Sequence, residues 1–241
     1  VIDDGEVQRA LVIMAHPDDV DFGAAGTIAG WTDRGIEVTY AIVTDGDAGG
    51  FDRSVDRSRI AGIRHAEQRA AAAAVGVTDV RFLGYPDGAL EVTDAVRRDL
   101  SRVIRQVRPR RALIQTPEWN LDFIPAACHP DHQHAGEAAL RAIYPDARNP
   151  FRFPELLADE HLEPWAVEEV WFAATAAPEH AVDITANLER KLTALSAHES
   201  QFPQGSAVVM DRVREFTAAI AAGHGLPTGA HAEHFKVVSL G

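Results

Sequence analysis

With 241 residues, 46% of them hydrophobic, and a single cysteine, the chain has material for one sizeable core and none for a disulfide framework or a four-cysteine zinc site. Its 23 Lys and Arg against 36 Asp and Glu leave a formal charge of −13, which repels phosphate backbones and sets general nucleic-acid binding aside. Apolar runs are short and broken by Gly, Asp or Arg, so no membrane span is expected, and the acidic Val1–Val7 stretch carries no basic segment of a secretory signal. A cytoplasmic protein with one domain over residues 1–241 is the expectation.

Strand-like and helix-like segments alternate with little linker between them. Ala10 to Met14 is a continuous apolar run, the pattern of a buried strand, and it ends at Ala15-His16-Pro17. Gly23 to Arg34 has helical spacing and stops at Gly35; Glu37 to Thr44 is a second strand, followed by the Asp45–Gly50 loop. Ser58 to Val75 is an alanine-rich helix, Val80 to Leu83 a third strand, and Gly84-Tyr85-Pro86-Asp87-Gly88 a turn. Thr93 caps a helix to Val107, and Arg111 to Gln115 is a fourth strand. Asp131 to Tyr144 is predicted helical and Pro145 to Pro164 an extended loop or lid. Glu169 to Ala174 reads as a strand, Thr185 to His198 and Val208 to Ala222 as helices, and His234 to Val238 as a last short strand. Repeated β-then-α units imply a Rossmann-like three-layer α/β/α fold with a mostly parallel sheet. In such sheets ligands bind at the carboxyl ends of the strands, which singles out His16–Asp19, Asp45–Gly50 and the segment after Gln115.

His16-Pro17-Asp18-Asp19 places an imidazole and two adjacent carboxylates at a strand end. The like charges repel in a low-dielectric setting, and a divalent metal resolves the conflict. The alternative is that Asp18 or Asp19 merely caps the helix near Phe22. Cys128-His129-Pro130-Asp131-His132 repeats the theme about a hundred residues later. Its two histidines are three apart at a loop-to-helix junction, so both rings can reach one cavity. Catalytic zinc sites use such N and O donors. His134 is expected to point elsewhere, and Cys128 to be a small packed residue, which leaves a Cys/His protease with little support.

On these residues the chain resembles the PIG-L (LmbE-like) family of zinc-dependent N-deacetylases. The resemblance rests on an apolar strand ending in Ala15-His16-Pro17-Asp18-Asp19 and on His129-Pro130-Asp131-His132 followed by Ala135-Gly136. Thr44-Asp45-Gly46, Arg64 with Glu67, Leu83 to Gly88, and Lys191 with His198-Glu199-Ser200-Gln201 extend it along the chain. It implies His16, Asp19 and His132 as ligands of a metal, zinc by default and Fe²⁺, Co²⁺ or Mn²⁺ as other fits. It implies Asp18 as base on the attacking water and His129, protonated, facing the developing oxyanion and the leaving amine. Either Asp18 or His129 then returns a proton to that amine. Asp131 would orient the ring of His129 or His132, or else cap the helix that follows it. Arg64 and Asp87 match positions that contact sugar hydroxyls or phosphate, with a solvated helix face and a turn-forming role as their alternatives.

Trp119, Phe123 and Trp165 are candidate walls for a sugar, or packing anchors. Val20 stands where family members often carry an acid, outside the ligand set. Ala127 stands where thiol-sugar-processing members can carry tyrosine, which weakens transfer of that substrate. The implied reaction is removal of an N-acetyl or N-acyl group from a small amino-sugar-containing substrate. Runners-up are an amidase of thiol-sugar conjugates and a tailoring deacetylase of a glycosylated natural product. A Rossmann-like nucleotide binder would want a glycine-rich turn where His16–Asp19 stands. A non-catalytic metal scaffold would have no use for Asp18. A homo-oligomer is compatible with all of these.

Overall fold

The apolar run Ala10–Met14 lies at the centre of the molecule. In the computed structural model, which describes residues 1–121 and 128–241, it forms β1 (Arg9–Met14). The remaining strands are β2 (Glu37–Thr44), β3 (Asp79–Tyr85), β4 (Arg111–Gln115), β5 (Glu169–Ala173), β6 (His180–Asp183) and β7 (Ala232–Ser239), in the order β3-β2-β1-β4-β5-β7-β6. The first five are parallel, and β7 runs antiparallel to both β5 and β6. A strand covered on both faces reads as an unbroken apolar run, because successive side chains enter opposite layers. Val12 and Met14 of β1 pack on one side with Ile28 and Trp31 of α1 (Asp19–Asp33), Ala71 of α2 (Arg57–Ala74) and Ala194 of a later helix. Leu11 and Ile13 pack on the other side with Leu100 and Ile104 of α3 (Asp94–Val107) and Ala135 and Ala139 of α4 (Pro130–Arg141). Burying each of the Val, Leu, Ile and Met side chains among these contributes about 1.5–3 kcal/mol.

The predicted three-layer α/β/α arrangement is therefore what the chain adopts, with differences at the edges. Residues 145–164 are more than a lid. They contain α5 (Pro154–Ala158), and they are bound to α3 by Arg105, which donates to the carbonyls of Ala147, Asn149 and Arg152, and by Arg97 on Asp146. Within the predicted Thr185–His198 helix the α-helical part is α6 (Leu188–Ser196), and α7 spans Ala207–Gly223. Strand β6 was not expected: His-Ala-Val-Asp is too short to show a period, and what defines it is pairing with β7. The predicted strand at His234–Val238 is β7, longer and antiparallel to β5. Among the described residues no helix is long and apolar enough to cross a membrane.

The strand order places the site. From β1 the chain moves outward to β2 and β3, and from β4 it moves the other way to β5. The crevice between the carboxyl ends of β1 and β4 is thus the topological switch point at which open α/β sheets bind ligands.

Candidate active site

The two motifs enter this crevice from adjacent strands. Ala15 N–H donates to Oε1 of Gln115 at 2.9 Å, tying the end of β1 to the end of β4, and Thr44 donates from both its N–H and its hydroxyl to the carbonyl of Ala15. Helix α1 begins at Asp19, earlier than its apolar spacing indicated. Asp18 occupies the N-cap position but makes no side-chain cap; it holds φ 96°, where side chains of L-residues cost about 1–3 kcal/mol. Asp19 accepts from His16 N–H at 2.8 Å. Capping by either carboxylate is thus not what these residues do. Helix α4 starts with Pro130 in its first turn and His129 as the cap, its Nδ1 accepting from Asp131 N–H at 3.3 Å. Gly136 lets α4 approach β4: a Cβ there would lie 2.5 Å from the carbonyl oxygen of Gln115.

His16, Asp19, His129 and His132 converge. Oδ2 of Asp19 is 3.3 Å from Nδ1 of His16, and its Oδ1 is 3.0 Å from Nε2 of His132. Each of the three imidazoles places a ring nitrogen within 4.8 Å of the other two. His16 presents Nε2 to Asp87 Oδ1 at 3.0 Å and to Asp131 Oδ2 at 3.1 Å, which leaves Nδ1 as the nitrogen available to a cation. His16, Asp87 and Asp131 also cluster closely enough to hold an ion. Asp131, however, already accepts from Gly88 N–H at 2.7 Å and Leu90 N–H at 3.2 Å, so this group is better understood as a hydrogen-bonded support for His16. Two imidazoles and a carboxylate facing one another are a donor set that suits a divalent transition metal.

The electrostatics follow from crowding acids and imidazoles at a sheet end. Burial alone favours a neutral His16, yet hydrogen bonds with Asp131, Asp19 and Asp87 and the charge of Asp19 push it up to about 12. His132 is raised as well, Asp19 outweighing burial, while Asp19 is held well below the usual carboxylate range, against its burial, by His132 and His16. Burial raises Asp18 to about 6; Arg64 opposes this and Asp19 reinforces it. His129 is pushed down by burial and by the His16 charge, toward the neutral ring rather than the expected protonated one. Because its Nδ1 accepts a backbone N–H, the neutral tautomer carries its proton on Nε2 and remains a donor.

Several expected residues sit in the cluster but face differently. Asp131 supports His16, not His129 or His132, and does not cap α4. Arg64 is 3% exposed and donates to the carbonyl of Pro17 and, at 3.2 Å, to Oδ2 of Asp18, so its charge faces that carboxylate. A Cβ on Gly49 would overlap its guanidinium, which explains the glycine in that loop. Asp87 has one oxygen on His16, as above. His134 does point elsewhere, onto the carbonyl of Leu90, though half-buried. Cys128 is buried with Sγ on the Asn120 carbonyl. Trp165 is bonded to the carbonyl of Pro109, before β4 begins, and so lies at the far end of the sheet; Trp119 is exposed. Phe123 and Ala127 lie outside the described residues. Sequence reasoning missed Asp21 and Gln68, both fully buried beside Asp18; the only signal was a polar residue on an otherwise core-facing helix position.

The fold thus gathers histidines and carboxylates at its switch point, a donor set that suits a divalent metal. Residues 11–143 match the GlcNAc-PI de-N-acetylase (PIG-L) family, and the chain belongs to that family. It is 37% identical over 199 residues to the diacetylchitobiose deacetylase of Thermococcus kodakarensis, covering 83% of this chain and 72% of that one. It is 33% identical over 201 residues to a probable N-acetyl-alpha-D-glucosaminyl L-malate deacetylase 2 of Bacillus cereus, covering 80% and 84%. The structure of N,N'-diacetylchitobiose deacetylase from Pyrococcus horikoshii, complexed with an inhibitor, superposes with a TM-score of 0.87 at 30% identity, covering 97% of this chain and 85% of that one.

Proposed function

We propose that the protein is a zinc-dependent N-deacetylase that hydrolyses the N-acetyl amide of a small N-acetylglucosamine-containing substrate, with residues 1–241 as one deacetylase domain. The observation that carries this reading is Asp19 standing between His16 and His132 with Asp18 beside them. The deacetylases of N-acetylglucosamine derivatives among its relatives support the substrate class. His16, Asp19 and His132 would hold the metal, which when bound supplies Lewis acidity to the amide carbonyl and to water.

Asp18, with its carboxyl at about 6, is mostly ionised at neutral pH and takes the proton of the attacking water. Arg64 holds the carboxylate in place. His129 donates from Nε2 to the carbonyl oxygen as charge develops there, without having to be protonated. An amide nitrogen leaves only as an amine, so a proton must reach it. The neutral His129 favours Asp18 as the group that returns it. Acetate and a free amino sugar are the products.

The test is release of free amine from N,N'-diacetylchitobiose and from N-acetylglucosaminyl malate by protein stripped with a chelator and reloaded with Zn²⁺, Fe²⁺, Co²⁺ or Mn²⁺. Activity that disappears on stripping and returns on loading is expected. Activity unchanged in protein shown to be metal-free would remove the mechanism.

A further inference from the structure

The unusual backbone of Asp18 has a built support. At φ 96° and ψ −29° it lies where residues other than glycine are rarely found. Its N–H donates to Oε1 of Gln68 at 2.8 Å. The Gln68 amide is fixed in that orientation at its other end, where Nε2 donates to Oδ2 of Asp21 at 2.9 Å. A flipped amide would set a donor against the Asp18 N–H and an acceptor against a carboxylate. Oδ2 of Asp21 also accepts from Nε2 of His198 at 2.8 Å. Gln68, Asp21 and His198 are all 0% exposed, so water does not compete for these bonds.

The surrounding contacts hold the same turn. Lys191 donates to the carbonyls of Asp21 and Phe22 at 2.8 and 2.6 Å and to Glu233 at 2.7 Å, pinning the first turn of α1. Ser200 is bonded through N–H and hydroxyl, both at 2.7 Å, to Glu67, the neighbour of Gln68 on α2. The His198–Gln201 segment, which the reaction itself does not use, thus closes onto both α1, through Asp21, and α2, which carries Gln68.

We propose that Gln68 is a positioning residue for Asp18, holding it in the left-handed conformation that keeps its carboxylate on Arg64 and toward the substrate. His198, through Asp21, keeps Gln68 in the working orientation. This rests on Asp18 being the base. Relaxation of Asp18 to the right-handed region would turn its Cα–Cβ bond and carry the carboxylate off Arg64.

Gln68→Met keeps the side-chain length and removes both polar ends. On N,N'-diacetylchitobiose its kcat is expected to fall about 10–100-fold, with KM and bound metal within about twofold of the parent. The Asp18 amide should exchange its hydrogen about tenfold faster, a readout independent of turnover. In an Asp18→Asn background the same change should cost nothing further, because both act through one carboxylate. An unchanged kcat, or an equal fall in both backgrounds, overturns the proposal. If the parent does not turn over this sugar, an Asp18 amide equally protected in the parent and in Gln68→Met overturns it, and faster exchange in the variant supports it. Should Gln68→Met not fold, His198→Leu and His198→Gln decide: glutamine restores a donor near the imidazole Nε2 and is expected to recover most of the kcat lost with leucine, and equal rates overturn the proposal. Full turnover in Asp18→Asn alone overturns the base assignment and this inference with it; loss there without any effect of Gln68→Met overturns this inference alone.

Discussion

Asp19 and His132 meet across the β1–β4 crevice, Oδ1 to Nε2 at 3.0 Å, although they come from opposite halves of the chain. The other oxygen of Asp19 faces His16 at 3.3 Å, so a single carboxylate sits between both imidazoles.

From this bridge, Asp19→Ala and His132→Ala are each expected to lose bound metal together with activity. Removing one of the three proposed ligands leaves two, too few for a stable catalytic site. Metal analysis after gel filtration checks it; stoichiometric metal in either variant would show that the ligand set is drawn wrongly.

Asp18→Asn should retain metal and lose at least about 100-fold in kcat. The same variant should melt higher than the parent when both are metal-free at pH 7. The sign follows from the raised value of about 6 against an ordinary 3.8: the folded state disfavours the carboxylate, a cost absent at low pH and present in full above about 6. Arg64→Met removes the cation that lowers Asp18, so the acid limb of kcat should move to higher pH. Scanning calorimetry and a pH–rate profile read the two effects.

His16 carries the opposite sign. Its value is raised from 6.5 to about 12, so its contribution to stability is complete below about pH 6.5 and lost as the pH climbs toward 12. The metal-free protein should therefore become less stable through the alkaline range. At pH 7, metal binding should expel at least one proton, since the ligand nitrogen must be unprotonated. Calorimetric titration with Zn²⁺ in buffers of different ionisation enthalpy counts the protons, and a count of zero contradicts a charged His16 in the metal-free site.

Gly136→Ala should destabilise the fold by about 1–3 kcal/mol through overpacking and weaken metal binding as well. The added methyl meets the Gln115 carbonyl at 2.5 Å and the nitrogen of Pro117 at 3.0 Å, both backbone, so α4 and with it His132 must shift. Thermal melts and zinc affinity check both halves; an unchanged affinity would mean that α4 can retreat without moving its first turn.

The layers of the fold and the gathering of the two motifs were legible in the sequence because both rest on short-range signals. Ala10–Met14 is apolar throughout, and each His-Pro-Asp segment follows a strand-like run. Orientation was not legible. That Asp131 supports His16 depends on where Gly88 and Leu90 direct their N–H groups, and that Arg64 turns inward depends on the room left by Gly49 in another loop. Strand β6 and the His198–Asp21–Gln68 array are long-range pairings between residues whose own neighbourhoods look ordinary.

The hydrogen bond from Ala15 to Gln115 has a consequence for how such a scaffold diversifies. The two halves of the reaction centre are riveted by adjoining central strands, whereas the Asp45–Gly50 and Pro86–Gly88 connections hang from β2 and β3, farther out. The Asp45–Gly50 connection can change length without unfastening that rivet, so the outer part of the scaffold can vary while the two motifs stay in register.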